Sequence, residues 1–244
     1  MNDELVIDEP ERLARVFAHR VETVSAGAIA ARGQCSLAVP GGSAAEALLP
    51  ALAEASLDWA SVHVFWCDER AVPTHHPDSN YALARRLLLE RVALRPERIH
   101  RMCAEVEAIG RSADEYEAEL VRVAGDPPAL DIALVGVGAD GHVCSLFAGQ
   151  RALAEPTRLA VSVMSSPKPP ARRITLTLAA LKHARLLVVA ALGAAKAEVL
   201  RQALEDTRSQ LPVALMLRQA GQRLLLLDAA AASRLSRVQQ GEKR

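Results

Sequence analysis

Short apolar runs of five to seven residues recur along the chain between stretches of helical periodicity, and this alternation limits the fold more than any other feature. The runs are CSLAV (35–39), VHVFWC (62–67), DIALVGV (131–137), LAVSVM (159–164), LLVVAAL (186–192) and RLLLLD (223–228). Runs this short and this continuously apolar suit strands buried on both faces of a parallel sheet. Helical patterns occupy 9–32, 44–55, 80–92, 112–123 and 194–205. Strand and helix in alternation predict an α/β fold, a three-layer α/β/α sandwich with a mainly parallel, Rossmann-like sheet. At 244 residues the chain fits one domain spanning 1–244, because the Pro- and Gly-rich spots are loop-length and no linker or repeat divides it. Apolar content falls near the carboxyl end, which predicts a loose tail from about 233 to 244.

Charge excludes several functions. Lys plus Arg and Asp plus Glu both number 29, and no stretch concentrates one sign, so neither nucleic acid nor an anionic membrane is an expected partner. The four cysteines (Cys35, Cys67, Cys103, Cys144) are far apart and lack a C-x-x-C pair, which predicts reduced thiols and no metal site. No apolar run approaches the ~18 residues of a membrane span, and the start MNDELVIDEP is too acidic for a targeting peptide. A cytoplasmic protein is expected.

The polar and glycine-rich clusters follow the apolar runs: PGGS after CSLAV, CDER after VHVFW, GADGH after DIALVGV, SPK after LAVSVM and GAAK after LLVVAAL. In an open parallel sheet ligands bind beyond the carboxyl ends of the strands, so the fold itself would gather these clusters into one composite site. Gly41, Gly42 and Ser43 lie between a strand and a helix, where backbone N–H groups, a hydroxyl and the helix dipole can hold a phosphate. The same residues also fit an ordinary turn with Ser43 as a helix cap. Arg173 and Lys196 read either as cationic partners of that phosphate or as solvated charges. Asp68, Glu69 and Arg70 read either as functional groups or as the exit of a strand to solvent. His75 and His76 are adjacent and lack the spacing of a helical metal pair.

Residues 136–141, GVGADG, match the G-x-G-x-x-G pattern of dinucleotide sites. The element that follows, 142–147, is too short for the crossover helix of that fold, and no acidic residue ends a following strand at the required distance. The glycines instead read as a tight turn that delivers Asp140 and His142. A histidine that begins a helix is kept neutral by the dipole, which suits a general base, although a satisfied turn histidine fits the same position.

Three segments carry a resemblance. CDERAVPTHHPDSNYALA, DIALVGVGADGHVCSLFAG and SPKPPARRITLTLAAL resemble, in order and spacing, the signature segments of the 6-phosphogluconolactonase family, part of the glucosamine/galactosamine-6-phosphate isomerase-like superfamily. The likeness runs from about CSLAV to RLLLLD. It implies hydrolysis of 6-phospho-D-glucono-1,5-lactone to 6-phospho-D-gluconate, the second step of the oxidative pentose phosphate pathway, with no metal or organic cofactor. Its partner would be that small phosphorylated lactone, handled by a monomer or weak homo-oligomer. By motif, the resemblance makes His142 the activator of water and Arg70 a stabiliser of charge on the lactone oxygen, with Asp68 and Asp140 beside them. It places Gly41, Gly42, Ser43, Lys168, Arg173 and Lys196 on the phosphate side. One departure is visible: members of the family continue the glycine turn with a hydroxyl residue and a proline, where this chain has Ala44 and Ala45.

Two other functions are weighed against this. A glucosamine-6-phosphate deaminase resembles the chain at the same strand ends, but that family carries a glutamate five residues after the turn histidine and a tyrosine after the Asp-Glu pair, where Phe147 and Arg70 stand. A sugar-phosphate sensor of a transcription regulator would need a DNA-binding segment, for which there is no room before Cys35.

Overall fold

The computed structural model describes residues 3–125 and 127–236. In chain order the elements are β1 (Asp3–Ile7), α1 (Pro10–Arg32), β2 (Cys35–Val39), α2 (Gly42–Ala53), β3 (Val62–Trp66), β4 (Asp68–Arg70), α3 (Asn80–Leu87), β5 (Ile99–His100) and α4 (Ile109–Ala124). They continue with β6 (Ile132–Gly136), β7 (Ala160–Val163), β8 (Arg173–Leu176), α5 (Leu178–Leu181), β9 (Leu186–Ala191), α6 (Ala197–Glu205), α7 (Pro212–Gln219), β10 (Arg223–Leu227) and α8 (Ala229–Ala232).

Among the described residues seven strands form an all-parallel sheet in the order β1-β10-β9-β6-β2-β3-β5. Every residue of β2, β3 and β9 is buried, as a sheet covered by helices on both faces requires. The helices on its faces complete the three-layer α/β/α sandwich. From β2 the chain moves outward to β3 and β5, then returns to β6 on the other side of β2 and proceeds to β9 and β10. The sheet therefore reverses its direction of growth between β2 and β6, and such a switch point opens a crevice beyond the strand ends.

The helices follow from local chemistry. α1 starts with Pro10 at a position where the missing N–H costs nothing, and buries a stripe of Leu13, Phe17, Val21 and Ala28. It stops at Gly33, whose φ of 76° is left-handed and whose N–H donates to the Ile29 carbonyl at 2.8 Å.

The LAVSVM run departs from the expected parallel sheet. As β7 it joins β8 and β4 in a separate three-stranded antiparallel sheet, order β4-β8-β7. Val161 and Ser162 are only half-buried there, so this strand lacks the two-sided cover of the others. Residues 233–236 are anchored rather than loose: Leu235 is buried and the Ser236 N–H donates to Glu205 at 2.7 Å. The remainder of the expected tail lies outside the described residues. No helix among the described residues is long and apolar enough to cross a membrane.

Beside β3 and β5 a buried relay sets a pH response. His63 and His100 are each 7% exposed, with His63 Nδ1 2.7 Å from His100 Nε2, and His100 Nδ1 2.7 Å from a Glu119 oxygen. Arg98 bonds to His63 Nε2. One proton assignment satisfies every contact: Arg98 donates to His63, neutral His63 to neutral His100, and His100 to the Glu119 carboxylate. Burial, helped by the Arg98 charge, pushes His63 down to about 4, and burial also lowers His100 against the pull of Glu119. An unfolded imidazole takes up a proton below ~6.5 while folded His63 does not until about 4, so this stability is present above ~6.5 and is lost as pH falls toward 4, with His100 shifted in the same direction. Urea unfolding is expected to show a loss on the order of 2 kcal/mol across that window, with a shallower slope in His63→Gln. Equal slopes in the two proteins would contradict this account.

Candidate active site

The switch point between β2 and β6 carries a cleft of about 240 Å³. Gly41, Gly42, Ser43 and Lys196 line it, together with Asp68, Arg70 and His142. Seven of the ten residues singled out from sequence thus meet in one place. Asp140 stands behind His142, while Lys168 and Arg173 are held by contacts away from the lining.

On one part of the cleft, β2 ends at Val39 and α2 begins at Gly42, whose φ of 62° is left-handed. Gly41 is needed for a different reason: a Cβ there would lie 1.8 Å from Asn80 Oδ1. No side chain caps the start of α2, whereas Ser79 caps α3 and Asp228 caps α8. The first-turn N–H groups of α2, like those of α1, α4, α6 and α7, have no side-chain cap, but those of α2 begin at the cleft lining, where the helix dipole favours an anion. Lys196, in the turn after β9, donates from Nζ to Ser43 Oγ at 3.1 Å. Burial lowers its pKa against the opposing charge of Asp228.

β4 supplies the DER residues. Strand alternation sends Asp68 and Arg70 to the cleft and Glu69 away from it. Asp68 is 4% exposed, accepting from Asn80 Nδ2 at 2.9 Å and from Ser145 Oγ at 2.7 Å, with the Arg173 guanidinium 3.9 Å away. Arg70 donates from Nη1 to the Asp78 carbonyl at 2.8 Å, and its buried Nε has no hydrogen-bond partner among the described residues. Glu69 is structural. Its carboxylate accepts from the N–H groups of Arg70, Asn80 and Tyr81 and from Ser79 Oγ at 2.7–3.0 Å, tying β4 to the start of α3.

After β6 comes the glycine turn. The Gly138 N–H donates to the His142 carbonyl at 2.9 Å, Gly141 has φ 79°, and a Cβ on Gly138 would lie 2.0 Å from the His142 ring. The expected helix at His142 is absent: short bridges join Val143 to Val137 and to Leu146, and Cys144 has φ 51°. Left-handed residues at 141 and 144 break any helical turn. A helix dipole therefore does not act on His142; burial is what lowers its pKa, against the Asp140 hydrogen bond that favours the charged form.

His142 Nδ1 lies 2.5 Å from Asp140 Oδ1, and Lys168 Nζ lies 3.0 Å from the same oxygen. Despite its own desolvation, Asp140 is held down to about 2 by bonds from His142 and Lys168. A carboxylate at Nδ1 fixes the proton there and leaves the Nε2 lone pair for the cleft. Lys168 Nζ thus sits on Asp140 and also lies 3.3 Å from His142 Nδ1. Arg173 is 3% exposed, donating to the carbonyls of Pro170 at 2.9 Å, Lys168 at 3.0 Å and Pro169 at 3.2 Å, and to Ser145 Oγ at 3.3 Å. It anchors the Lys168 loop to the Asp68 network.

Asn80 and Ser145 carry no signal of the site in the sequence. Asn80 reads as the first residue of a helix and Ser145 as one more small residue in a turn; only the fold brings both to Asp68. Among the described residues no group of three or more His, Cys, Asp or Glu side chains is placed to hold a metal.

An α/β sandwich with an uncapped helix start, a lysine and an oriented imidazole at its switch point defines a protein that handles a small anionic ligand. Comparison with known proteins narrows this. The family model described as glucosamine-6-phosphate isomerases/6-phosphogluconolactonase matches residues 8–226. The chain is 36% identical to the probable chloroplastic 6-phosphogluconolactonase 3 of Oryza sativa subsp. indica, over 96% of this chain and 76% of that one. It is also 36% identical to the 6-phosphogluconolactonase of Streptomyces coelicolor, over 94% and 93%. Among solved structures it is similar to the 6-phosphogluconolactonase of Trypanosoma brucei, with TM-score 0.85, 27% identity, and 96% and 99% of the two chains covered. The chain belongs to the glucosamine-6-phosphate isomerase/6-phosphogluconolactonase family.

Proposed function

We propose that the chain hydrolyses 6-phospho-D-glucono-1,5-lactone to 6-phospho-D-gluconate, the second step of the oxidative pentose phosphate pathway. The observation that carries this reading is the His142 imidazole, held at Nδ1 by Asp140 so that Nε2 is left as the acceptor, in the same cleft as an uncapped helix start and Lys196. His142 Nε2 takes a proton from water as the water oxygen attacks the lactone carbonyl. Arg70 stabilises the oxyanion that develops. The ring C–O bond then breaks and the imidazolium returns the proton to the departing ring oxygen, leaving the open hydroxy acid. Asp68 keeps acceptor capacity beyond its two short bonds, enough to orient the water or a sugar hydroxyl. Gly41, Gly42, Ser43 and Lys196 take the phosphate. Lys168 keeps Asp140 ionised, and Arg173 holds the loop.

The expected oligomeric state remains a monomer or weak homo-oligomer. The unpaired cysteines fit a reducing compartment such as the cytoplasm. A deaminase reading gains no support at residue 147, where an apolar ring packs on His142.

The direct test is turnover of freshly generated lactone by the purified protein, corrected for spontaneous hydrolysis. Exhaustive chelation is expected to leave that rate within about twofold, since a hydrolysis run by a base and fixed donors needs no ion. Loss on chelation, restored by one divalent cation, would overturn the metal-free mechanism.

A further inference from the structure

His142 is constrained at more than its Asp140 hydrogen bond. The Phe147 ring stacks on the imidazole with centroids 4.4 Å apart and planes at 25°. Phe147 is 3% exposed, and the Arg173 guanidinium carbon lies 5.8 Å from the same ring's centroid. The segment between the two rings is pinned: the Leu146 N–H donates to the Val143 carbonyl at 2.8 Å and the Ser145 N–H to Thr175 Oγ1 at 3.1 Å. The Phe147 carbonyl accepts from the Gln150 N–H at 3.1 Å.

A hydrogen bond at Nδ1 fixes one point of an imidazole but not the tilt of its plane. Tilt decides where Nε2 points, and an aromatic face packed at stacking distance sets it. The charged groups that face the imidazole are Asp140, 2.5 Å from Nδ1, and Lys168, whose Nζ lies 3.3 Å from the same nitrogen, with Asp68 farther off; the apolar ring adds to these by keeping water off part of the imidazole, which penalises the protonated form.

We propose that Phe147 is a positioning residue for His142, fixing the imidazole plane so that Nε2 meets the substrate water. The proposal rests on His142 being the general base. It concerns a residue five positions along the turn, outside the cleft lining.

The test compares wild type, Phe147→Leu, Phe147→Tyr and His142→Asn in the lactonase assay across pH, with NMR titration of the His142 ring as a readout independent of turnover. Phe147→Leu is expected to lower kcat by about 10- to 100-fold, the size of effect that ångström-scale misplacement produces. KM should stay within about twofold. The acidic limb and the His142 titration should both move up toward the ~6.5 of a free imidazole. Phe147→Tyr keeps the flat ring and should recover most of kcat and the original titration. If leucine leaves the protein unfolded, Phe147→Met, an unbranched apolar side chain, takes its place. A folded leucine or methionine variant with unchanged kcat and unchanged His142 titration overturns the proposal, as does a rise in KM at constant kcat. The base assignment fails separately, through a His142→Asn variant that keeps turnover.

Discussion

Replacing His142 by asparagine is expected to lower kcat by about 10²–10⁴-fold in a protein that remains folded. Asparagine keeps a polar side chain of similar reach but has no nitrogen that takes up a proton. The pH profile separates this from loss of a mere contact. In the proposed mechanism the neutral imidazole is the active form, so activity is expected to fall as pH drops through the His142 pKa, which burial places below the usual imidazole value. Asp140 stays ionised down to about 2 and adds no limb in the working range. His142→Asn should therefore lose the acidic limb along with the rate. Arg70→Lys should lower the rate but keep the limb, because it retains charge and loses the planar fork. Each point needs a blank at the same pH, since the lactone opens spontaneously. Near wild-type turnover in folded His142→Asn, with the same limb, would move the base to Asp68 or Asp140.

The second large effect concerns the phosphate. Unphosphorylated gluconolactone is expected to show kcat/KM lower by roughly 10²–10⁴-fold, which is what two lost charge-assisted contacts of ~1.5–3 kcal/mol each amount to. The structural reason is the start of α2, where glycines leave the first-turn N–H groups without a side-chain cap while Lys196 reaches Ser43 beside them. Lys196→Ala should reproduce part of the loss on the phosphorylated lactone, about 10- to 100-fold, and change little on the unphosphorylated one. Comparable efficiency on both lactones in the wild type would remove the phosphate site from the mechanism.

The runs in the main sheet were legible because two-sided burial demands continuous apolar sequence: β2, β3, β6, β9 and β10 all fall where CSLAV, VHVFWC, DIALVGV, LLVVAAL and RLLLLD predict. The edge strand β1 was not, since DELVI carries two acids and Leu5 is 36% exposed. β7 was read as a strand but assigned to the wrong sheet, because a short apolar run says nothing about its partner. Helix α7 was hidden inside LPVALML, whose apolar residues show no clear period over so short a span. At the site, sequence located the residues that end strands, because topology alone brings those together. It did not distinguish the buried arginine from a cleft arginine: Arg173 is spent on three consecutive carbonyls, a pattern that depends on the fold of the 168–170 loop.

The pairing of β1 with β10, Asp3 opposite Arg223, orders the events of synthesis. Translation at roughly 5–20 residues per second puts about 10–45 s between the appearance of those two residues, and for all that time β1 has no strand to pair with. Contacts of such long sequence separation are made late, after local units have condensed. The residues lining the cleft lie between Pro40 and Lys196, so they are all made before β10. The cleft can thus assemble on a sheet still open at one edge, with β1 among the last strands to be seated.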